Sequence, residues 1–245
     1  TKNLQLALLL QMQLPMIERV SRALLRGTEA MTNGRPLGDA AGALVAAHLI
    51  GESKGREEDD TIVVHKKLKG KSVIIVKAKG PGGRLGKLGR VVDRIVRTQK
   101  VSKLITIDAA SKYEGEKTGA IAEGVGVAIG GIGVDRSYIE NIATQRDIPL
   151  DSIVIKMSPE EAIMPMKLEV LNAIPSVIKL VEENVAKTTG SGKIVIVGVG
   201  NTAGVGNNKA STKKTEEQIR KVAKIMKKRD EQEKQEASKW RFFGS

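Results

Sequence analysis

Apolar residues recur at helical spacing from Leu4 to Leu25, and the segment closes at Asn33-Gly34. The pattern predicts an N-terminal helix, with Pro15 expected to kink it. A glycine-rich turn, Gly34-Arg35-Pro36-Leu37-Gly38-Asp39, follows, and Asp39 stands where an N-cap belongs ahead of the small-residue helix Ala40–Ile50. β-Branched residues dominate Thr61–His65 and Ser72–Ala78, which predict a hairpin joined through Lys69-Gly70-Lys71. The loop Gly80-Pro81-Gly82-Gly83-Arg84-Leu85-Gly86 then leads into an amphipathic helix over Leu88–Arg97. Lys103–Ile107 predicts a buried strand ended by Asp108, Asp135–Arg146 a helix, and Ser152–Lys156 another strand.

Ser158-Pro159-Glu160-Glu161 has the form of a helix start, opening a long helix to Ala186 that Pro165 and Pro175 are expected to divide. Lys193–Val197 predicts a last apolar strand, closed by the glycine-rich stretch Gly198–Gly206, and from Thr212 the charged chain predicts a solvated helix. Residues 114–133 are too rich in glycine for the pattern to assign. Strands alternating with helices, several apolar throughout, indicate a sheet covered on both faces. The expected fold is therefore α/β: a three-layer α/β/α sandwich with a mostly parallel, mixed central sheet. Residues 1–33 form an N-terminal helical segment packed on the domain, 34–208 the α/β/α domain, and 209–245 a basic, charged helical tail.

Composition narrows the chemistry. At 40% hydrophobic and 28% charged residues, the 245-residue chain falls among folded proteins. No apolar run approaches the roughly 18 residues that span a bilayer; Leu4–Ile17 is too short and is interrupted by Gln5, Gln11 and Gln13. The absence of cysteine excludes disulfides, zinc ribbons, iron–sulfur sites and thiol nucleophiles, and two histidines exclude a three-histidine metal site. His48 and His65 read as ordinary core or surface histidines. The net charge of +13 points to a polyanionic partner: RNA, a ribosome or an anionic membrane surface. Residues 209–245 carry 12 basic and 6 acidic side chains, so about half the excess lies in the tail. Surfaces rich in Lys, Glu and Arg are also a thermophilic trait.

Only Tyr113 and Tyr138 precede residue 240 among the aromatics, so no base-stacking platform is available and nucleic acid would be held through phosphates. Trp240, Phe242 and Phe243 crowd the C-terminus, either as an anchor for a protein partner or membrane interface or as a frayed end. The chain begins at Thr1 inside a predicted helix, which leads us to expect a preceding segment.

Asp108 ends a predicted strand and Asp39 opens a helix in a glycine turn, the places where α/β sheets collect ligands. Two such carboxylates share a proton, activate water or hold a metal; alternatively Asp39 is only a cap and Asp108 a loop tether. Glu114 and Glu116 would share a face of a strand and, with Asp39 and Asp108, supply oxygen ligands to Mg²⁺ or Mn²⁺; a solvated loop is the other reading. Gly198-Val199-Gly200-Asn201-Thr202-Ala203-Gly204 after an apolar strand has the look of a dinucleotide-binding turn. No dinucleotide is expected, because Asn207-Asn208-Lys209 does not continue into an apolar helix and no strand follows. Gly38, Gly198, Gly200 and Asn201 are instead expected to shape a pocket with Asp39 and Asp108. Lys77, Lys79, Arg84, Lys87 and Arg90 cluster around Gly83-Arg84-Leu85-Gly86, a phosphate-contact candidate that differs from a KH clamp in following a strand.

Gln11–Pro15 with Gly34–Val45, Ile107–Gly131 and Val195–Gly206 together resemble an uncharacterised archaeal family, the domain of unknown function numbered 1512. The segment Glu114-Gly115-Glu116-Lys117-Thr118-Gly119 carries the resemblance most specifically. It implies an archaeal source and a hydrophobic membrane segment ahead of this region, hence a protein on the cytoplasmic side of a membrane, anchored by a segment outside this chain. It supplies no function. More distantly, Gly38-Asp39-Ala40-Ala41-Gly42 and Ile107-Asp108-Ala109 resemble the germination proteases and hydrogenase-maturation endopeptidases. The Gly-x-Gly-Asn strand, N-terminal there, falls here at Ile194–Asn201, a permuted order. That resemblance implies acidic site residues at Asp39 and Asp108. Three readings follow: a peptidase-like hydrolase, a non-catalytic basic factor on RNA, ribosome or membrane, and a scaffold for a protein partner.

Overall fold

Val73–Val76, Leu104–Ile107 and Ile194–Val197 are apolar on both sides of their strands, and each side meets a layer of helices. The computed structural model describes residues 3–126 and 134–243. Helix α1 spans Leu4–Thr32, and a 3₁₀ turn, Gly38–Ala40, leads into α2, Ala41–Ile50. Strands β1 (Arg56–Glu58), β2 (Thr61–Leu68) and β3 (Lys71–Ala78) come next, then α3 (Leu88–Thr98), β4 (Val101–Ser111) and β5 (Ile121–Val125). Helix α4 (Val134–Gln145), β6 (Leu150–Met157), α5 (Pro159–Ile163), α6 (Leu168–Lys187), β7 (Lys193–Gly198) and α7 (Lys209–Phe243) complete the chain order.

The strands form one sheet in the order β1-β2-β3-β7-β4-β6-β5. Its centre, β3-β7-β4-β6, is parallel, and the antiparallel pairs at both ends, the β1-β2-β3 meander and β5-β6, make the sheet mixed. On one face α2, α6 and the start of α7 close over Ile75, Ile105, Ile107 and Ile196. On the other, α3 and α4 close over Ile74, Val76, Leu104 and Val195. The α/β/α sandwich read from the pattern is the fold observed.

Several local expectations change. The helix predicted over Ser158–Ala186 is broken at Pro165, where Leu37 bridges Pro165 as a short antiparallel contact, but α6 runs unbroken through Pro175. Pro15, where a kink is expected, lies within the span of helix α1. The residues left unassigned contain β5, while 127–133 lie outside the described residues. The solvated tail is corrected more substantially. Thr212, Thr215, Ile219 and Val222 of α7 are buried against the domain, a stripe spaced three and four apart. Further along, α7 runs antiparallel to the second half of α1, held by Arg26–Asp230 at 2.7 Å and Arg229–Glu29 at 2.8 Å.

Helix α5 begins with a full capping box: Ser158 accepts from the Glu161 N–H, and Glu161 accepts in return from the Ser158 N–H. Glu161 also accepts from Thr118 at 2.8 Å and from Lys167 at 2.7 Å. Burial alone would raise this carboxyl; the Lys167 ammonium, the Ser158 N–H and the Thr118 hydroxyl outweigh it and bring the pKa down to about 2. A carboxyl depressed on folding stabilises above its free value of 4.5, and that contribution fades as the pH falls toward 2. We expect Glu161→Gln to cost about 2–3 kcal/mol near neutral pH and to flatten the acid limb of stability, read by urea unfolding across the acid range. An unchanged acid limb would show that the cluster is energetically idle.

Candidate functional site

Parallel strands deliver their loops to one edge of the sheet, and here the loops diverge. The chain leaves β3 for α3 on one face and leaves β7 for α7 on the other. Such a divergence opens a crevice at the carboxyl ends of the strands. Strand β7 stops at Gly198, paired with Lys77 on one side and Ile107 on the other, while β4 runs on to Ser111 alongside β6. The notch is walled by the loop 80–86, the loop 199–208 and the 3₁₀ turn 38–40.

Glycine permits the close approach. At Gly42 a Cβ would overlap the carbonyl oxygens of Ile107 and Val199, and at Gly200, whose φ is +111°, it would overlap the Asp39 carbonyl. Gly198 packs in the same manner against Gly42 and Ala46, and Gly38 against the Glu161 carbonyl. Thr202 ties the two glycine loops together: its hydroxyl accepts from the Arg84 N–H at 3.0 Å and donates to the Lys79 carbonyl at 2.9 Å.

Asp39 does not cap α2. Helix α2 has Ala40 at its N-cap and no side-chain cap, because the 3₁₀ turn carries the chain into the helix. The Asp39 carboxylate instead accepts, through Oδ2, from both the backbone N–H and the Nδ2 of Asn201, at 2.9 and 3.0 Å. Its second oxygen accepts no hydrogen bond from any described residue. Asn201 in turn is fixed by accepting from the Ala203 N–H at 2.9 Å. Of the residues expected to shape a pocket, Gly200 and Asn201 thus converge directly on Asp39.

Asp108 sits beyond the last β7 pairing and is 8% exposed. Ile105 and Ile107 face α2, so alternation turns Asp108 to the opposite face, with Leu104. It accepts from the Ala109 N–H at 2.7 Å. Asp39 and Asp108 therefore belong to opposite faces of the sheet at the notch. Glu114 and Glu116 are not strand neighbours, since β4 ends at Ser111. Glu114 lies in an exposed turn, and Glu116 accepts from the Tyr113 N–H at 2.7 Å and pairs with Lys156 at 3.6 Å. Among the described residues no three histidine or carboxylate groups converge on a point, so the set Asp39, Asp108, Glu114 and Glu116 does not form a metal cage.

The basic cluster is also redistributed. Lys77 is fully buried, not a surface phosphate contact; its ammonium donates to the Ala78 carbonyl at 2.7 Å and to Asn207 Oδ1 at 2.9 Å. Burial pushes its pKa down to about 7. Lys79 is paired with Glu57 and Arg84 with Asp60, which leaves Lys87 and Arg90 as the exposed members without an ion pair among the described residues. Asn207 was invisible to sequence reasoning. It accepts from Lys77 and the Gly80 N–H and donates to the Gly80 carbonyl at 3.1 Å, joining the two glycine loops. Its only sequence signal is its place at the end of a glycine run. His48, read as an ordinary core histidine, faces α7 and lies 2.9 Å from Glu216, while burial lowers its pKa.

A comparison with curated proteins finds no match. The family model described as the C-terminal part of the domain of unknown function DUF1512 matches residues 37–206, from the turn that holds Asp39 to the end of the glycine run after β7. That match covers well over half of the chain and all seven strands of the described residues, and the chain belongs to the DUF1512 family.

Proposed function

We propose that the domain is a peptidase-like hydrolase whose substrate lies in the notch above β7, between Asp39 on one wall and Asp108 on the other. The observation that carries this reading is the state of Asp39. One carboxylate oxygen is held by two donors of Asn201, and among the described residues none donates to the other. A carboxylate anchored through one oxygen keeps its orientation while the other oxygen takes a proton, as a general base must. Asp39 draws a proton from water as that water attacks the scissile carbonyl. Asp108, approaching from the opposite face, hands a proton to the departing amine, and the C–N bond breaks. Glycines 198 and 200 let α2 and the Asp39 turn close against the end of β7, which fixes where Asp39 stands.

The test is hydrolysis of an unstructured protein and of a chromogenic ester by the native chain, repeated with Mg²⁺, with Mn²⁺ and with chelator. We expect turnover that falls about a hundredfold in Asp39→Asn and in Asp108→Asn while circular dichroism stays native. Absence of turnover under all conditions, or native rates in Asp39→Asn, would remove the proposal.

A further inference from the structure

The first half of α1 stands clear of the domain. From Asn3 to Arg19 every residue is exposed, and Leu4, Leu6, Leu9, Met12 and Leu14 each show more than half their surface. Soluble helices bury one apolar stripe and turn charge to water. Here no charge occurs between Asn3 and Ile17. At about 100° per residue, the apolar positions from Leu4 to Ile17 reach almost the whole circumference. A second copy of the helix or a shallow protein groove covers a stripe, whereas bilayer hydrocarbon covers all sides at once.

We propose that Leu4–Ile17 enters the hydrocarbon of an anionic lipid bilayer without crossing it. At 1.5 Å per residue the segment is ~21 Å long, against a hydrocarbon core of ~30 Å. No helix among the described residues is long and apolar enough to cross a membrane. Charge begins where insertion would stop, at Glu18, Arg19 and Arg22. Helix α7 reaches the same level. The pairs Glu29–Arg229, Arg26–Asp230 and Arg22–Glu233 advance in opposite directions along the two helices, so the last turns of α7 run toward the N-terminal half of α1. Those turns hold Lys239, Trp240 and Arg241 in sequence, the residue types that populate membrane–water interfaces. The inference does not depend on the hydrolase proposal.

Co-sedimentation of the full chain with phosphatidylcholine–phosphatidylglycerol vesicles tests it, alongside a chain carrying Leu8→Gln, Leu9→Gln and Leu10→Gln. These three side chains are exposed, so the variant keeps the native fold, checked by circular dichroism. We expect the native chain to sediment with vesicles and to stay bound at high salt, and the variant to lose about tenfold in partitioning. Sedimentation equal in both chains, or binding abolished by salt in both, would overturn the inference in favour of attraction by the basic tail alone. A native chain that ignores vesicles but dimerises, with a monomeric variant, would overturn it in favour of a second copy.

Discussion

A chain carrying Gly42→Val is expected to lose its native fold at ordinary temperature. Gly42 lies in the first turn of α2 with the carbonyls of Ile107 and Val199 against it, backbone atoms of β4 and of the residue that directly follows β7. Neither can swing aside as a side-chain tip would. A branched side chain there lifts α2 off the sheet and separates Leu44, Val45 and Ile50 from the strands beneath. Overpacking of this kind, with loss of burial along a whole helix, exceeds ~4 kcal/mol, a large share of a typical domain's stability of ~5–15 kcal/mol. Gly82→Ala is the control, since a Cβ there meets nothing nearer than the Arg84 side chain at 4.0 Å. Urea unfolding followed by circular dichroism separates the two. A native midpoint for Gly42→Val would mean that α2 is not seated on the sheet as described.

The second large effect is a dependence of stability on alkaline pH. Lys77 titrates near 7 in the folded protein, because burial disfavours its charge, and near 10.5 when the chain is unfolded. Between those values the unfolded chain binds more protons, so stability rises with pH; below about 7 the lysine is protonated in both states and its slope vanishes. The slope approaches ~1.4 kcal/mol per pH unit, so unfolding at about pH 9.5 should cost roughly 2–3 kcal/mol more than at about pH 7.5. Lys77→Met removes the proton and should remove the rise. An identical rise in both chains would assign it to other groups and leave Lys77 charged inside the fold.

Apolar strands were the most legible part of this chain, and the physical reason is burial on both faces. Ile194–Val197 and Val73–Val76 have no polar position to disturb the pattern, so strand type, layer number and the covered sheet followed from residue types alone. The edge strand β1, Arg56–Glu58, is three charged residues long and carries no pattern at all. The docked half of α7 hid for another reason. Two of its four buried stripe positions, Thr212 and Thr215, are polar, and Thr215 satisfies its hydroxyl by donating to the Gly204 carbonyl at 2.8 Å. Hydropathy therefore counted them as solvent-facing.

For the site, the positions Asp39, Gly200 and Asn201 were visible, but their bonding was not. An aspartate before a helix normally caps it, and only the long-range return of the 199–208 loop gives this one another partner, 162 residues away. Lys77 was misplaced because a lysine in a glycine-rich basic stretch reads as surface. Its burial depends on Asn207, 130 residues on.

The position of β7 fixes the order in which this molecule can be completed on the ribosome. Among the strands of this sheet it is made last, yet it lies between β3 and β4 in the middle. Until residues 193–198 emerge, β3 and β4 have no common neighbour, and each presents a bare, apolar hydrogen-bonding edge that could pair with another chain. Two half-sheets must wait, and folding is closed by a keystone laid last. Such a chain folds slowly for its length and is most prone to aggregate just before β7 emerges.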